Sequence, residues 1–344
     1  MPVLVTGGSG FVGSHLVARL AAAGHRVRAL ARDRQRLHRA LAPHGGGPVE
    51  VVEGDVRDPV AVRAAVAGCD AVVHAANVYS LDVRRRHEMH DINVTGTRTV
   101  LDAAVAAGCD PVVHVSSMSA LLPAPSRITD DPPIGSNEAA AYIGSKVRAE
   151  RIARALQESG APVVTTYPGA VWGPEDPASG EMVNVLGALL RWTYALRMGG
   201  DPGFSISDVR WVADAHAALL TQGHGPRRVT MGGHYVTMDA ALRVLRSLTG
   251  RRLRPVASTP KAVNLAAGRV ADALQERART LLPLPSHEQV WLLYEWPPTE
   301  DRVAEELAGP PPRLETTVGD AIRWMVDAGH LPAERAGAVA GRRA

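Results

Sequence analysis

The chain has 344 residues, 46% hydrophobic and 21% charged, enough for one large domain or two unequal ones with an ordinary globular balance. A formal charge of +3 is small for this length, and neither a basic stripe with interleaved aromatics nor an apolar run of about 20 residues occurs, which argues against a nucleic-acid partner and a membrane span. Cys69 and Cys109 are the only cysteines and the 13 histidines show no metal-ligand spacing, so neither a disulfide framework nor a metal site is expected.

The chain enters a strand directly. No secretory leader is expected, and a reducing cytoplasm is the expected setting. Val3-Leu4-Val5-Thr6 runs into Gly7-Gly8-Ser9-Gly10-Phe11-Val12-Gly13, after which Leu16, Val17 and Leu20 take up helical spacing. Strand, tight glycine turn and helix start form the arrangement that a dinucleotide pyrophosphate needs, with Gly7, Gly10 and Gly13 at its centre and Ser9, Phe11 and Val12 between them. The helix ends at Gly24, and Val27–Leu30 reads as the second strand. Where NAD-selective sites place an acidic residue after this strand, the chain has Ala31-Arg32. That favours a contact from Arg32 to the 2′-phosphate of NADP, with NAD left open.

A third strand, Val49–Val52, ends at Gly54-Asp55-Val56, where Asp55 is placed to contact the adenine. The phrase Ala67-Gly68-Cys69-Asp70-Ala71-Val72-Val73-His74 returns almost unchanged as Ala107-Gly108-Cys109-Asp110-Pro111-Val112-Val113-His114. It predicts two equivalent units of helix, glycine cap and buried strand in one parallel sheet, with the cysteines as small core-edge residues. Ala75-Ala76-Asn77 is a strand end of small residues that lets a cofactor lie close. A helix opens at Asn93-Val94-Thr95-Gly96-Thr97, and a fifth strand delivers Val115-Ser116-Ser117. After a proline-rich loop from Leu122 to Pro133, Ser136 or Asn137 is expected to cap a long helix that carries Tyr142 and Lys146 and ends near Gly160.

The ordered set TGxxGxxG, NVxGT, Ser-Ser and YxxxK resembles the extended short-chain dehydrogenase/reductase superfamily. Tyr167-Pro168-Gly169-Ala170-Val171-Trp172-Gly173-Pro174 is similar to that family's RPxxVYGP segment, with tyrosine in place of arginine. Asp208-Val209-Arg210-Trp211-Val212-Ala213-Asp214-Ala215-His216 is similar to its DVRDVAxAH segment, with Trp211 in place of an acidic residue. The likeness covers most of residues 1–220 and runs closest to the dihydroflavonol 4-reductase and 3β-hydroxysteroid dehydrogenase branches. It implies an α/β fold, a Rossmann-type doubly wound parallel sheet with a smaller, mostly helical C-terminal unit. Residues 1–172 plus 205–237 are expected to bind the dinucleotide and 173–204 plus 238–334 the substrate, with 335–344 a loose tail. The resemblance also adds Val56, Tyr167, Pro168, Gly169 and Val171 to the cofactor contacts.

Tyr142 and Lys146 are four apart and share one helix face. A free phenol has a pKa of about 10, and a fixed ammonium beside it favours the phenolate. By the resemblance, Tyr142 exchanges the proton with the substrate oxygen, Lys146 assists it and holds the nicotinamide ribose, Ser117 hydrogen-bonds the substrate oxygen, and Asn93 supports the lysine. Ser116 is the alternative to Ser117. Of 38 basic residues only Lys146 and Lys261 are lysine, so Lys146 stands where an arginine-rich chain has avoided arginine. Trp172, Trp192, Tyr194, Met198, Trp211, Trp291, Leu292, Tyr294 and Trp296 are expected to shape an apolar substrate pocket. The implied activity is hydride transfer between nicotinamide and a ketone, aldehyde or secondary alcohol, by a homodimer paired through the helices after Asn93 and around Tyr142. The alternatives are a nucleotide-sugar epimerase or dehydratase, and an NADP-sensing regulator without turnover.

Overall fold

Short runs of valine, leucine and alanine buried on both faces build the centre of the molecule: Val3, Leu4, Val5, Val72, Val73, Val112, Val113, Val163 and Val164 are all fully buried. Strands of this kind need cover on both sides, which parallel crossovers supply. The structure is a computed structural model and describes residues 1–344 except 81–82, 125, 192–193, 222–224, 253, 278–284 and 341–344. Trp192 and the side chain of Tyr194, two of the expected pocket aromatics, lie outside the described residues.

The first half alternates β1 (Pro2–Thr6), α1 (Phe11–Ala22), β2 (Arg26–Ala31), α2 (Arg34–Leu41), β3 (Val49–Glu53), α3 (Pro59–Val66) and β4 (Ala71–His74). It continues through α4 (Arg86–His90), a π-helical turn at Asp91–Gly96, α5 (Thr97–Ala106), β5 (Val112–Val115), α6 (Ala141–Glu158) and β6 (Val163–Pro168). Then follow β7 (Ala170–Trp172), α7 (Glu181–Arg191), β8 (Tyr194–Met198), β9 (Gly203–Asp208), α8 (Val209–Ala218), β10 (Arg227–Met231) and β11 (His234–Thr237). The chain closes with α9 (Met238–Thr249), β12 (Arg254–Thr259), α10 (Lys261–Arg277), α11 (His287–Glu295), α12 (Arg302–Ala308), α13 (Leu314–Asp327) and α14 (Ala333–Ala336).

Seven strands form one sheet in the order β10-β6-β5-β4-β1-β2-β3, every pair parallel. Apolar residues of α1, α2, α8 and α12 cover one face, and those of α3, α5 and α6 cover the other. The repeated phrase behaves as two equivalent units: α3 and α5 each end two residues before a left-handed glycine, Gly68 (φ +74°) and Gly108 (φ +75°), and the chain re-enters the sheet as β4 and β5. Cys69 and Cys109 are buried free thiols at these turns. The strand order reverses between β1 and β4, opening a crevice at their C-terminal ends.

A second apolar cluster joins Trp172 of β7, Ile206 of β9 and Val236 of β11 to α7, α9 and α13. Ala336 and Val339 are buried in the same cluster, so the start of the expected loose tail is anchored against α9 and α13; residues 341–344 of it lie outside the described residues. Among the described residues no helix is long and apolar enough to cross a membrane.

One contact holds the crevice together. A Cβ on Gly13 would lie 2.1 Å from the Gly7 carbonyl oxygen. Gly13→Ala should therefore cost about 1–3 kcal/mol by overpacking. Gly47→Ala, whose added methyl meets nothing closer than 3.4 Å, should stay within about 0.5 kcal/mol of the parent. Denaturant unfolding of the two variants checks the contrast.

Candidate active site

The crevice between β1 and β4 carries the first half of the site. Gly7 (φ +75°) turns the chain out of β1, and a Cβ there would stand 2.6 Å from the Ala75 and Ala76 backbone. The Gly10 amide donates to the Gly7 carbonyl (2.9 Å), and α1 begins there with Gly10 as its cap. No side chain caps this helix and no acidic residue lies in its first turn, so its amides and positive dipole end face the crevice open to an anion. A cleft of about 140 Å³ is lined by the expected Gly7, Ser9, Gly10, Arg32, Asp55, Val56, Ala75, Ala76 and Asn77.

Arg36 lines the same cleft beside Arg32. It was not singled out in sequence: Arg32 precedes α2 and Arg36 lies within it, so no helix-face spacing links the two. The two nearby carboxylates are engaged. Asp33 caps α2 by accepting the Arg36 amide (2.9 Å), and Asp55 is gripped by the Arg57 guanidinium (2.8 and 2.9 Å) and amide, which holds its carboxyl below the usual range. The residues fit a dinucleotide: a free helix N-terminus without room for side chains, and two guanidiniums at the end of β2. Phe11 and Val12 turn their side chains into the two apolar clusters, which leaves only their first-turn amides for a ligand.

Tyr167 corrects a second expectation. Its side chain is fully buried and its hydroxyl donates to Glu150 Oε1 (2.6 Å), beside Arg154. The phenol is thus committed to the core against α6 and is not turned to a cofactor. Pro168 is buried at the end of β6. The Gly169 amide donates to Ser207 Oγ (2.9 Å) and the Met231 carbonyl (3.2 Å), and Val171 is half-buried in β7.

The second half of the site gathers on the ends of β4 and β5 and on α6. The half-buried Tyr142 phenol stands among Ser117, Ser119 and Asn77, whose polar side chains favour its ionised form, and packs edge-on against Tyr79, ring centres 4.6 Å apart. Ser117 Oγ accepts from Ser119 Oγ (2.9 Å) and from the Ser119 amide (3.2 Å), because Ser117 caps the short 3₁₀ turn Met118–Leu121. Ser116 Oγ is buried with no partner among the described residues, so the structure brings Ser117 to Tyr142 and leaves Ser116 behind. Ser119 was missed in sequence, where only the adjacent serine pair stood out.

Lys146 is 3% exposed and points its ammonium at Asn77 Oδ1 (3.5 Å) and the Val115 carbonyl (3.4 Å). Burial pulls its pKa down to about 8, against the opposing charge of Glu150. Behind it His74 and His114 stack 5.8 Å apart, and burial followed by the Lys146 charge keeps both imidazoles neutral. Asn77 touches both Tyr142 and Lys146; the sequence had placed it only as a cofactor-side strand end. Asn93, expected beside the lysine, sits in the π-helical turn and exchanges hydrogen bonds with the Val78 amide (2.8 Å) and carbonyl (2.9 Å), and donates to Ser145 Oγ (3.0 Å). Ser145 Oγ in turn donates to the Tyr142 carbonyl (2.6 Å), so Asn93 braces α6 and does not contact Lys146. Burial pushes the Tyr142 phenol up, and the polar side chains of Ser117, Ser119 and Asn77 are what oppose it. The lysine field expected to lower it is directed elsewhere.

The start of α6 also differs from expectation. Neither Ser136 nor Asn137 caps it: the helix begins at Ala141, and Ala140 offers no side-chain acceptor. The Glu288 carboxylate of α11 accepts the amides of Ala141 (3.2 Å), Tyr142 (3.4 Å) and Ile143 (2.6 Å) instead. The expected aromatic pocket divides. Leu292, Trp291 and Trp296 pack with Met118, Leu121 and Ile143 around the base of α6. Trp172 is core of the second cluster, and Trp211 is buried on the large sheet with its Nε1 donating to the Gly309 carbonyl (2.8 Å). The Tyr294 hydroxyl is tied to Asn264 (2.8 Å) and the Gly199 carbonyl (3.0 Å).

A family model described as the NAD dependent epimerase/dehydratase family matches residues 3–232. The chain is 27% identical to a putative dihydroflavonol 4-reductase of Synechocystis, covering 95% of each, and 30% identical to a 2-alkyl-3-oxoalkanoate reductase of Stenotrophomonas maltophilia, covering 90% of each. Its fold matches the crystal structure of gox2253 with a TM-score of 0.76 and 26% identity, over 96% of this chain and 99% of that one.

The buried ammonium has a cost that can be measured. Below about pH 8 the folded chain carries a Lys146 charge that burial solvates poorly, while the unfolded chain keeps its lysine charged to about 10.5. Stability from this group therefore rises as pH climbs from about 8 towards 10.5. Lys146→Met should raise the neutral-pH stability of the protein without added cofactor by up to about 3 kcal/mol, with the gain fading above about pH 8. Thermal unfolding across pH checks it.

Proposed function

The chain belongs to the NAD dependent epimerase/dehydratase family, within the extended short-chain dehydrogenase/reductases, and from that premise we propose that it is an NADP-preferring oxidoreductase acting on a ketone, an aldehyde or the corresponding secondary alcohol. The observation that carries the reading is the Tyr142 phenol beside the hydrogen-bonded Ser117–Ser119 pair, with Lys146 on the same face of α6, beside the crevice.

The first turn of α1 and Ser9 would hold the pyrophosphate, Arg32 and Arg36 the 2′-phosphate, and Asn77 and Lys146 the nicotinamide end. When bound, the nicotinamide supplies or accepts the hydride. Tyr142 gives its hydroxyl proton to the substrate oxygen in reduction and takes it back in oxidation. A phenol raised by burial is protonated at neutral pH, the form that reduction requires. Ser117 shares that oxygen, kept in place by the Ser119 hydroxyl and amide. Lys146 is tied to the phenol through Asn77, which stands beside both. Tyr79, Ala141 and Leu292, which wall the small cavity beside Tyr142, suit a substrate with an apolar body. The relative named for a 2-alkyl-3-oxoalkanoate supports a carbonyl carried on such a body.

Tyr142→Phe should lower kcat by about 10²–10⁴-fold while leaving the Kd for NADPH within about twofold; an active Phe variant defeats the reading. Charge-assisted contacts to phosphate are worth about 1.5–3 kcal/mol each. Arg32→Ala and Arg36→Ala should each therefore weaken NADPH by about 10–100-fold and leave NADH unchanged. Calorimetric titration with both cofactors checks this, and equal affinity of the parent protein for both ends the NADP assignment. A thermal-shift response to a UDP- or dTDP-sugar, with none to a panel of apolar ketones, would favour epimerase or dehydratase chemistry instead.

A further inference from the structure

We propose that Glu288 is a positioning residue for Tyr142: its carboxylate, reaching back from α11, fixes the first turn of α6 and so the place of the phenol. The inference rests on the role given to Tyr142 above.

Three observations carry it. First, α6 has no cap of its own, since Ala140 brings no acceptor and the first turn contains no acidic residue. A helix end buried without partners leaves its amides unpaired. Glu288 takes three of them, Ala141 and Tyr142 on Oε2 and Ile143 on Oε1, from a position 147 residues further along the chain than Ala141. The amide of Tyr142 itself is among the three.

Second, Glu288 is held where it is. It lies in the first turn of α11, which opens with a complete capping box from Ser286 and Gln289. Four residues on, Leu292 is buried in the cluster that contains Ile143 and Val147 of α6. The carboxylate therefore arrives on a short, self-capped helix seated on α6.

Third, Glu288 and Tyr142 wall the same small cavity, with Tyr79, Ser80 and Leu292. A negative charge there disfavours the phenolate, which adds to burial in keeping Tyr142 a proton donor. The other charged or titratable groups facing the pair are Arg86 of α4, whose charge partly offsets that of Glu288, Tyr79 edge-on to the phenol ring, and Lys146 one turn further along α6. The helix that places the proton donor is thereby tied to a segment that borders the substrate side.

Glu288→Gln keeps an oxygen acceptor and removes the charge, and Glu288→Ala removes both. Phenolate absorbance is titrated in the full chain, with Tyr142→Phe in each background as the blank that isolates Tyr142. The Tyr142 titration should move to lower pH by about half a unit or more in Glu288→Gln. With a reducible ketone, kcat of Glu288→Ala should fall about tenfold or more, while the KM for NADPH stays within about twofold; Glu288→Gln should recover part of the loss. An unmoved or upward Tyr142 titration in Glu288→Gln overturns the proposal, as does a Glu288→Ala enzyme with parental kcat. The titration needs no substrate, so it stands even if Tyr142→Phe proves active, a result that would overturn the role of Tyr142 and not that of Glu288.

Discussion

The Gly7 carbonyl occupies the space that any side chain on Gly13 would need, and the rest of the site depends on that contact. It lets α1 close on the end of β1 without a cap, so that the helix amides face the crevice. The reversal of strand order between β1 and β4 puts that crevice at the centre of the sheet edge. Ala75 and Ala76 complete the close approach, because the backbone there stands 2.6 Å from where a Gly7 side chain would be. An anion at this point meets only main-chain donors and the helix dipole, which act without reorganisation.

Beside this rigid half lies a second half built on buried polarity. Lys146 is taken out of water, its pKa drawn down to about 8, and two stacked imidazoles behind it are kept neutral. Neutral histidines there add no second positive charge to a space already holding an ammonium. A lysine in this setting costs stability. A compact ammonium on a long stem stands here in a chain whose basic residues are otherwise all arginine but for Lys261.

The proton donor we propose is assembled from pieces distant in sequence. Ser117 and Ser119 come from the 3₁₀ turn after β5, Asn77 from the end of β4, Tyr79 from the segment after it, and Glu288 from α11. Asn93 acts one layer out, through Val78 and Ser145 onto the Tyr142 carbonyl. The phenol is therefore steadied from several sides by groups that no short motif contains.

Local chemistry made the parallel sheet, the glycine turn and the shared helix face of Tyr142 and Lys146 legible in the sequence, because each is a matter of adjacent residues: continuous apolar runs, glycines where a Cβ cannot stand, and a four-residue spacing; Ser117 came only with the family resemblance. The arginine at the end of β2 was legible for the same reason. Distance in the chain hid the rest. Periodicity could not say that Tyr167 faces Glu150, that Trp172 and Trp211 are spent in two cores, or that Arg36 joins Arg32 in the cleft. Nor could propensity show that α6 borrows its cap, since Ser136 and Asn137 are good capping residues and only the packing of α11 decides that Glu288 serves instead. Sequence determined which groups could do the chemistry; the tertiary structure decided which of them meet, because burial and hydrogen-bond pairing are settled between elements and not within them.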